Sequence, residues 1–418
     1  MIPVHPDQLT PGSTVAQLRD VWTSAGATGT LAFDGDVVAS PGNPPAAGEV
    51  VDAAGWIAMP PLCDLHAHLD KAYTWEAAGR PEGSLEDAVA CWSGFGRTLG
   101  FEQMKANGRR QLRAALSAGV LAIRSHANYH EGPDPLRGIR ALVELREEFR
   151  GLVDLQVVAM HGHDRDDGLV RDGIALGADL VGAAPHLSPD SAGEVARALR
   201  LAEEAGIGVD LHTDETLDAR STDLLTLARG TRHWPAERPR SAGHCVSLAV
   251  QSPGRLTTIL DAVAQARVSI ITNPLTNLYL QGWRHPVATP RAIPPLASLL
   301  AAGVEVAAGG DNVQDPFNPL GNGDMVPVVG ALVLAGHLSP ARAWEVAAAG
   351  GRRVFGLAPA DGRPGDAADV LLVRASSVAE AVAEHAPDRI VIRAGRVVAV
   401  RRTAIDTVAQ DALVGEAA

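Results

Sequence analysis

The chain has 418 residues, and 36 Lys and Arg against 49 Asp and Glu leave a formal charge of −13. The few basic residues form no run or stripe, which argues against nucleic acid or an acidic membrane surface as partner, since phosphate binding needs clustered positive charge. Cys63, Cys91 and Cys245 are odd in number and carry no CxxC, so a disulfide framework is excluded and a reducing compartment is expected.

The start of the chain lacks a basic segment followed by an apolar run, and no apolar stretch reaches about eighteen residues. A cytoplasmic location with no membrane contact is therefore expected. At about 150 residues per domain, the length allows two or three domains or one large α/β barrel with an accessory piece.

In chain order, residues 29–58 are short β-type runs broken by Gly, Asp and Pro, with FDGDVV at 33–38 reading as a hairpin. From Met59 to Gly310 one cadence repeats: an apolar run, a turn, an amphipathic stretch, a Gly. The strands are predicted to end at His66, His126, His161, Ala184, His212, His244, Asn273 and Gly309. Helices over 136–149, 191–205 and 253–266 carry apolar residues at i, i+3, i+4. Eight strands alternating with helices predict an α/β fold, a (β/α)8 TIM barrel.

Residues 366–402 are β-type again, with IRAGRVV at 392–398 reading as a second hairpin. Neither flank can bury a core alone. The two ends are expected to meet in one small composite β-sandwich, with domains at 1–58, 59–360 and 361–418 and a fraying tail after Val408.

The first barrel strand ends in Leu65-His66-Ala67-His68. Residues two apart on a strand share a face, so His66 and His68 can offer two imidazoles to one ion. His212, His244 and Asp311 follow the fifth, sixth and eighth strands. In a parallel barrel all these C-terminal ends open on one face, where the five side chains should converge. Imidazole with carboxylate suits Zn²⁺ or Fe²⁺.

Glu215, on the loop after His212, could move a proton from activated water to a leaving nitrogen, with Asp214 and Asp218 as competitors. His126, His161, His163 and His186 also lie near strand ends and are expected to line the pocket rather than bind the ion. The cysteines are expected to be buried small residues. Lysine occurs only at Lys71 and Lys105, neither on the fourth strand, which disfavours a lysine-bridged two-metal site. One divalent ion per chain is the expectation.

The chain resembles the cytosine deaminase family of the amidohydrolase superfamily. The resemblance rests on PPLCDLHAHLDKAYT, VDLHTDETLDARS, GHCVSL, TNPLTNLYLQG and GGDNVQDPFNPLGNGDM, in that order. It implies a single Fe²⁺ or Zn²⁺ held by His66, His68, His212 and Asp311, with Glu215, His244 and Asp311 as the catalytic group. Glu215 would shuttle the proton and His244 would orient water. Gln281 falls in a substrate-pocket segment, followed by Trp283 where relatives commonly carry Arg.

Three departures bear on substrate. Gly162, between His161 and His163, stands where cytosine-specific members carry a glutamine. Asn312 replaces a second aspartate and Phe317 a tryptophan. The expected reaction is hydrolytic deamination of a small N-heterocycle with an amidine- or guanidine-like C–NH2. Cytosine is expected to be a poor substrate; the ring is expected to be larger or to show another edge, read by His161 or His163 with Gln281, Asn312 and Phe317 lining the rest. N-dealkylation or opening of a cyclic amide by the same machinery is the alternative. A non-catalytic scaffold predicts eroded site residues, and none is eroded. A homo-oligomer is expected.

Overall fold

The structure is a computed structural model that describes residues 3–404 apart from 24, 25, 27 and 41–46; the tail expected to fray lies outside the described residues. Its strands are β1 (Val15–Thr23), β2 (Thr28–Asp34), β3 (Val37–Val38), β4 (Glu49–Asp52), β5 (Ile57–Met59), β6 (Leu62–Ala67), β7 (Val120–Asn128) and β8 (Asp154–His161). They continue as β9 (Leu180–Ala183), β10 (Gly208–Thr213), β11 (Arg240–His244), β12 (Ser269–Thr272), β13 (Val306–Ala308), β14 (Val370–Val373), β15 (Arg389–Arg393) and β16 (Arg396–Arg401).

Strands β6 to β13 pair side by side in sequence order, all parallel, as the eight strands of the predicted barrel. Every residue of β6, β10 and β11 is buried, as expected for parallel strands covered on both faces. The barrel closes where the site residues are. Asp311 N donates to His66 O at 2.6 Å and His68 N to Asp311 O at 3.2 Å, while Gly310 N turns to the Asp64 carboxylate at 2.8 Å. A β-carbon on Gly309 would lie 2.5 Å from His66 Cβ, so only glycine lets the eighth strand approach the first this closely.

The helices sit where the apolar periodicity puts them. Ser191–Ala205 and Pro253–Ala266 coincide with their predicted spans, the first capped by the Asp190 carboxylate on Gly193 N and ended by left-handed Gly206.

The chain ends share a mixed sheet ordered β16-β15-β14-β5-β1-β2-β3, with β4 also on β1. Both predicted hairpins are present, pairing Phe33 with Val38 and Ile392 with Val397. The ends meet where β5 runs antiparallel to β14, and bridges Thr14–Arg396 and Val37–Ala367 fold the edge strands β16 and β3 back onto the segments that lead into β1 and β14. What was expected as a sandwich is thus one continuous sheet curled around its own core of Leu18, Phe33, Trp56, Leu372 and Ile392. The alternate residues Ile57, Met59, Leu371 and Val373 pack on the barrel, so period-two alternation glues the sheet to the barrel.

Strand β1 lies ahead of the segment read as β from sequence. Its alternation breaks at exposed Arg19 and Asp20, where the register shifts and Asp20 has φ 52°. Such a bulge blurs the signal. No helix among the described residues is long and apolar enough to cross a membrane.

Candidate active site

Because β6 alternates its faces, His66 and His68 both project into the barrel mouth, where β10 delivers His212 and the turn after β13 delivers Asp311. His212 Nε2 lies 3.0 Å from His66 Nε2 and 3.2 Å from His68 Nε2. Asp311 Oδ1 is 3.3 Å from His68 Nε2 and 3.8 Å from His66 Nε2. Ligands about 2.1 Å from a tetrahedral ion would stand about 3.4 Å apart, and these four separations bracket that value; His126 with His66 and His212, and His244 with His66 and Asp311, also bring donor atoms within 4.8 Å of one another.

Their electrostatics agree with that reading. Burial first, and then the crowding of imidazoles on one another, with Lys71 beside His68 and Arg124 beside His66, holds all three imidazoles well below their usual pKa, so they offer lone pairs rather than charge. Burial, with Glu215 and Asp315 nearby, pushes Asp311 well above the carboxylate range. The Nδ1 atoms of His66, His68 and His212 and Oδ2 of Asp311 have no hydrogen-bond partner among the described residues. It is the Nε2 atoms that face one another, His212 against His66 at 3.0 Å and against His68 at 3.2 Å, and buried lone pairs converging in this way are costly unless a cation compensates them. The donor set therefore fits a divalent ion.

His244 ends β11 with φ 67°, and Cys245, Asp311 and Asp214 are also left-handed, at 52°, 61° and 52°. Non-glycine residues adopt this region only when their surroundings impose it. Here the turn is held by Cys245 N on Thr213 O at 3.0 Å and Ser247 N on Asp214 O at 3.1 Å. Asn277 Nδ2 donates to His244 Nδ1 at 2.9 Å, and the same nitrogen lies 3.3 Å from Glu215 Oε1.

Burial pushes the Glu215 carboxyl up to about 8, against the opposing effect of Lys71. On its far side His186, pushed down to about 4 by burial, lies 3.7 Å from Oε2. Neither competitor is free. The Asp214 carboxylate accepts from Ser221 Oγ at 2.6 Å and from Asp223 N at 2.8 Å, capping the helix Asp223–Thr231. Asp218 is bound by Arg220 at 2.7 Å on the surface.

A cavity of about 420 Å³ opens above this group, lined by His68, Lys71, Trp92, Gly162, His163, His186, His212, Glu215, His244, Asp311, Asn312 and Phe317. Gly162 and His163 stand exposed at its mouth. His161 meets the wall from behind: its side chain is wholly buried, with Nδ1 2.9 Å from Glu194 Oε1. Gln281 does not line this cavity. It lines the neighbouring groove and donates its amide to the Glu215 carbonyl at 3.0 Å, so it positions Glu215's backbone. His126, expected as lining, is buried inside the barrel, its ring 4.1 Å from that of His66 and its Nε2 3.5 Å from Asp210 Oδ1.

Sequence reasoning passed over Lys71 and Trp92. Lys71 Nζ lies 5.2 Å from the Trp92 ring and 4.7 Å from the Phe317 ring. Its signal was its rarity, one of two lysines, three residues after a proposed ligand. Trp92 had none, because it sits on the helix Leu85–Phe95 in the connection between β6 and β7, away from any strand end.

The amidohydrolase family model matches residues 76–399, which leaves His66 and His68 to be placed by geometry. The chain is 32% identical over 374 residues to pterin deaminase of Rhizobium rhizogenes, covering 85% of this chain and 84% of that protein. Its structure is similar to 5-methylcytosine deaminase from Klebsiella pneumoniae, liganded with phosphonocytosine, with a TM-score of 0.82, 25% identity, and 94% and 100% of the two chains covered. It is also similar to N-isopropylammelide isopropylaminohydrolase from Burkholderia multivorans, with a TM-score of 0.78, 28% identity, and 93% and 99% covered.

Proposed function

The chain belongs to the amidohydrolase family, and from that premise we propose that it removes ammonia hydrolytically from a 2-amino-4-oxo N-heterocycle of pterin size. The observation that carries this reading is the convergence of three neutral imidazoles and Asp311 beside a protonatable Glu215 at the floor of a 420 Å³ cavity. His66, His68, His212 and Asp311 would hold one divalent ion, Zn²⁺ or Fe²⁺. Such an ion supplies Lewis acidity, lowering the pKa of water from about 15.7 towards 7.

The chain's own residues supply the rest. Glu215 takes the proton of the attacking water and returns it to the leaving nitrogen, a double duty suited to a carboxyl whose pKa is near neutral. His244, steadied by Asn277, orients the attacking oxygen beside Glu215. Gly162 supplies no side chain where cytosine-specific relatives carry a reading glutamine, and a cavity of about 420 Å³ suits a second fused ring. The similarity to pterin deaminase supports the same class. Release of an alkylamine by the same residues is the second reading, favoured by the similarity to the isopropylaminohydrolase.

The test is product analysis on metal-loaded protein with pterin, cytosine, 5-methylcytosine and N-isopropylammelide. Ammonia from pterin is expected. Isopropylamine as the main product selects the second reading, and cytosine turnover at or above about 10⁵ M⁻¹s⁻¹ in kcat/KM overturns the proposed ring size.

A further inference from the structure

We propose that Asn312 and Lys71 read one edge of the bound heterocycle as hydrogen-bond acceptor and donor, and that Asp315 is the positioning residue that locks the acceptor. The edge they match is a ring N–H beside the reacting carbon followed by a carbonyl. The inference rests on the deaminase reading above and adds to it a specificity rule.

Asn312 follows Asp311 directly, lines the cavity and is otherwise buried. Its Nδ2 donates to Asp315 Oδ2 at 2.8 Å. Burial pushes Asp315 up to about 6 against the pull of Lys71, so above that pH its carboxylate only accepts and the amide cannot flip without losing this bond. Oδ1 is thereby turned away from Asp315, and the Nδ2 bond is the one side-chain hydrogen bond of Asn312 among the described residues. Asp315 is itself immobilised. It is wholly buried, its Oδ1 accepts from Phe317 N at 2.9 Å, and it exchanges backbone bonds with Asn318 at 3.0 and 3.1 Å. One carboxylate therefore sets both an amide acceptor and the start of the Phe317 wall.

Lys71 supplies the complement. It is 3% exposed, lines the same cavity, and its ammonium sits against the faces of Trp92 and Phe317 with no hydrogen bond or ion pair among the described residues. Aromatic faces steady a cation but accept few of its N–H groups. The missing acceptor has to come from the cavity. A 2-amino-4-oxo ring presents, in order, the amidine carbon, an N–H for Asn312 Oδ1 and a carbonyl for Lys71 Nζ. A 2,4-diamino ring presents an unprotonated ring nitrogen and an amino group at the same places, so it opposes acceptor with acceptor and donor with donor.

The experiment is calorimetric binding of pterin and 2,4-diaminopteridine to metal-loaded protein carrying Glu215→Gln, which slows turnover by about 10²- to 10⁴-fold, with steady-state kinetics on pterin in the otherwise native enzyme. A preference for pterin of about 10²-fold is expected, because a site built to bond a polar edge rejects the analogue that lacks it. Lys71→Met and Asn312→Ala should each cut that preference about tenfold, and Lys71→Arg should restore most of the first loss. Asp315→Asn should raise KM for pterin more than it lowers kcat, with metal content unchanged. Equal binding of the two rings, or a preference unaltered in both Lys71→Met and Asn312→Ala, overturns the inference. If Asn312→Ala does not fold, Asn312→Asp decides in its place. Absence of ammonia from pterin with the binding preference intact would instead overturn the reaction and leave the edge rule standing.

Discussion

Two buried polar clusters share the barrel interior, and the chain treats them in opposite ways. On β10, Asp210 and His212 are two apart and point inward one above the other. In the lower layer wholly buried Arg124 donates to Asp210 at 2.7 Å, Ser241 Oγ at 2.8 Å, Gln156 Oε1 at 3.0 Å and Val354 O at 3.2 Å. Asp210 stays below the usual carboxylate range, the upward push of burial being outweighed by His126 and Arg124. In the upper layer the imidazoles have lost their charge, Glu215 and Asp311 are held up, and ring nitrogens lack partners. His126 Nδ1 and Nε2 and Asp210 Oδ1 lack hydrogen-bond partners among the described residues as well, so the contrast lies in charge: below, Arg124 is paired with Asp210, and above, burial holds the imidazoles and carboxyls towards their neutral forms.

The largest effect that would test this contrast is loss of a ligand. His212→Ala should take metal content from about one ion per chain to none and activity to background. Finding two ions per chain would break the single-ion reading. Glu215→Gln should keep the metal but lose about 10²- to 10⁴-fold in kcat, a split that metal analysis beside kinetics resolves. If turnover survived, the capping role assigned to Asp214 would need revision.

In the lower layer the expected damage is to folding. Arg124→Met leaves Asp210 buried and uncompensated, at a cost of about 3–5 kcal/mol in urea unfolding, and Arg124→Met with Asp210→Leu should regain most of it. Chelation should act only on the upper layer. Relative to protein in ion at 100 times Kd, stability should fall by about 2.7 kcal/mol, while a variant of the terminal sheet core such as Ile392→Val should lose about 0.5–1.5 kcal/mol with its metal content unchanged.

The smallest effect concerns pH. Burial, then the neighbouring Asp214 carboxylate, pushes Asp223 up to about 6, above its unfolded value of about 3.9. Its contribution is therefore fully present below about pH 4 and lost as pH rises through 6. Asp223→Asn should raise the urea midpoint above pH 6 and leave it unchanged near pH 4; an equal shift at both pH values would refute the assignment.

Much of this was legible in the chain. The barrel strands end at or within two residues of the predicted positions because apolar runs stop where imidazole or glycine begins. The two-residue spacing of His66 and His68 is enough to put both imidazoles on one strand face. What sequence could not reveal has specific causes. Strand β1 hides behind a bulge at Asp20. Gln281 reads as pocket lining until its amide is found on the Glu215 carbonyl, whereas His161 does line the cavity, and only the structure shows Glu194 against its ring.

The sequence by itself determined the barrel, the meeting of its ends and the His/Asp donor set, because those depend on periods of two and 3.6 and on residue type at strand ends. Tertiary structure alone decided which of the adjacent acids, Asp214 or Glu215, faces the site. The left-handed turn at Asp214, φ 52°, sends one carboxylate down to cap a helix and its neighbour up into the cavity, and a backbone angle imposed by packing leaves no trace in the order of residues.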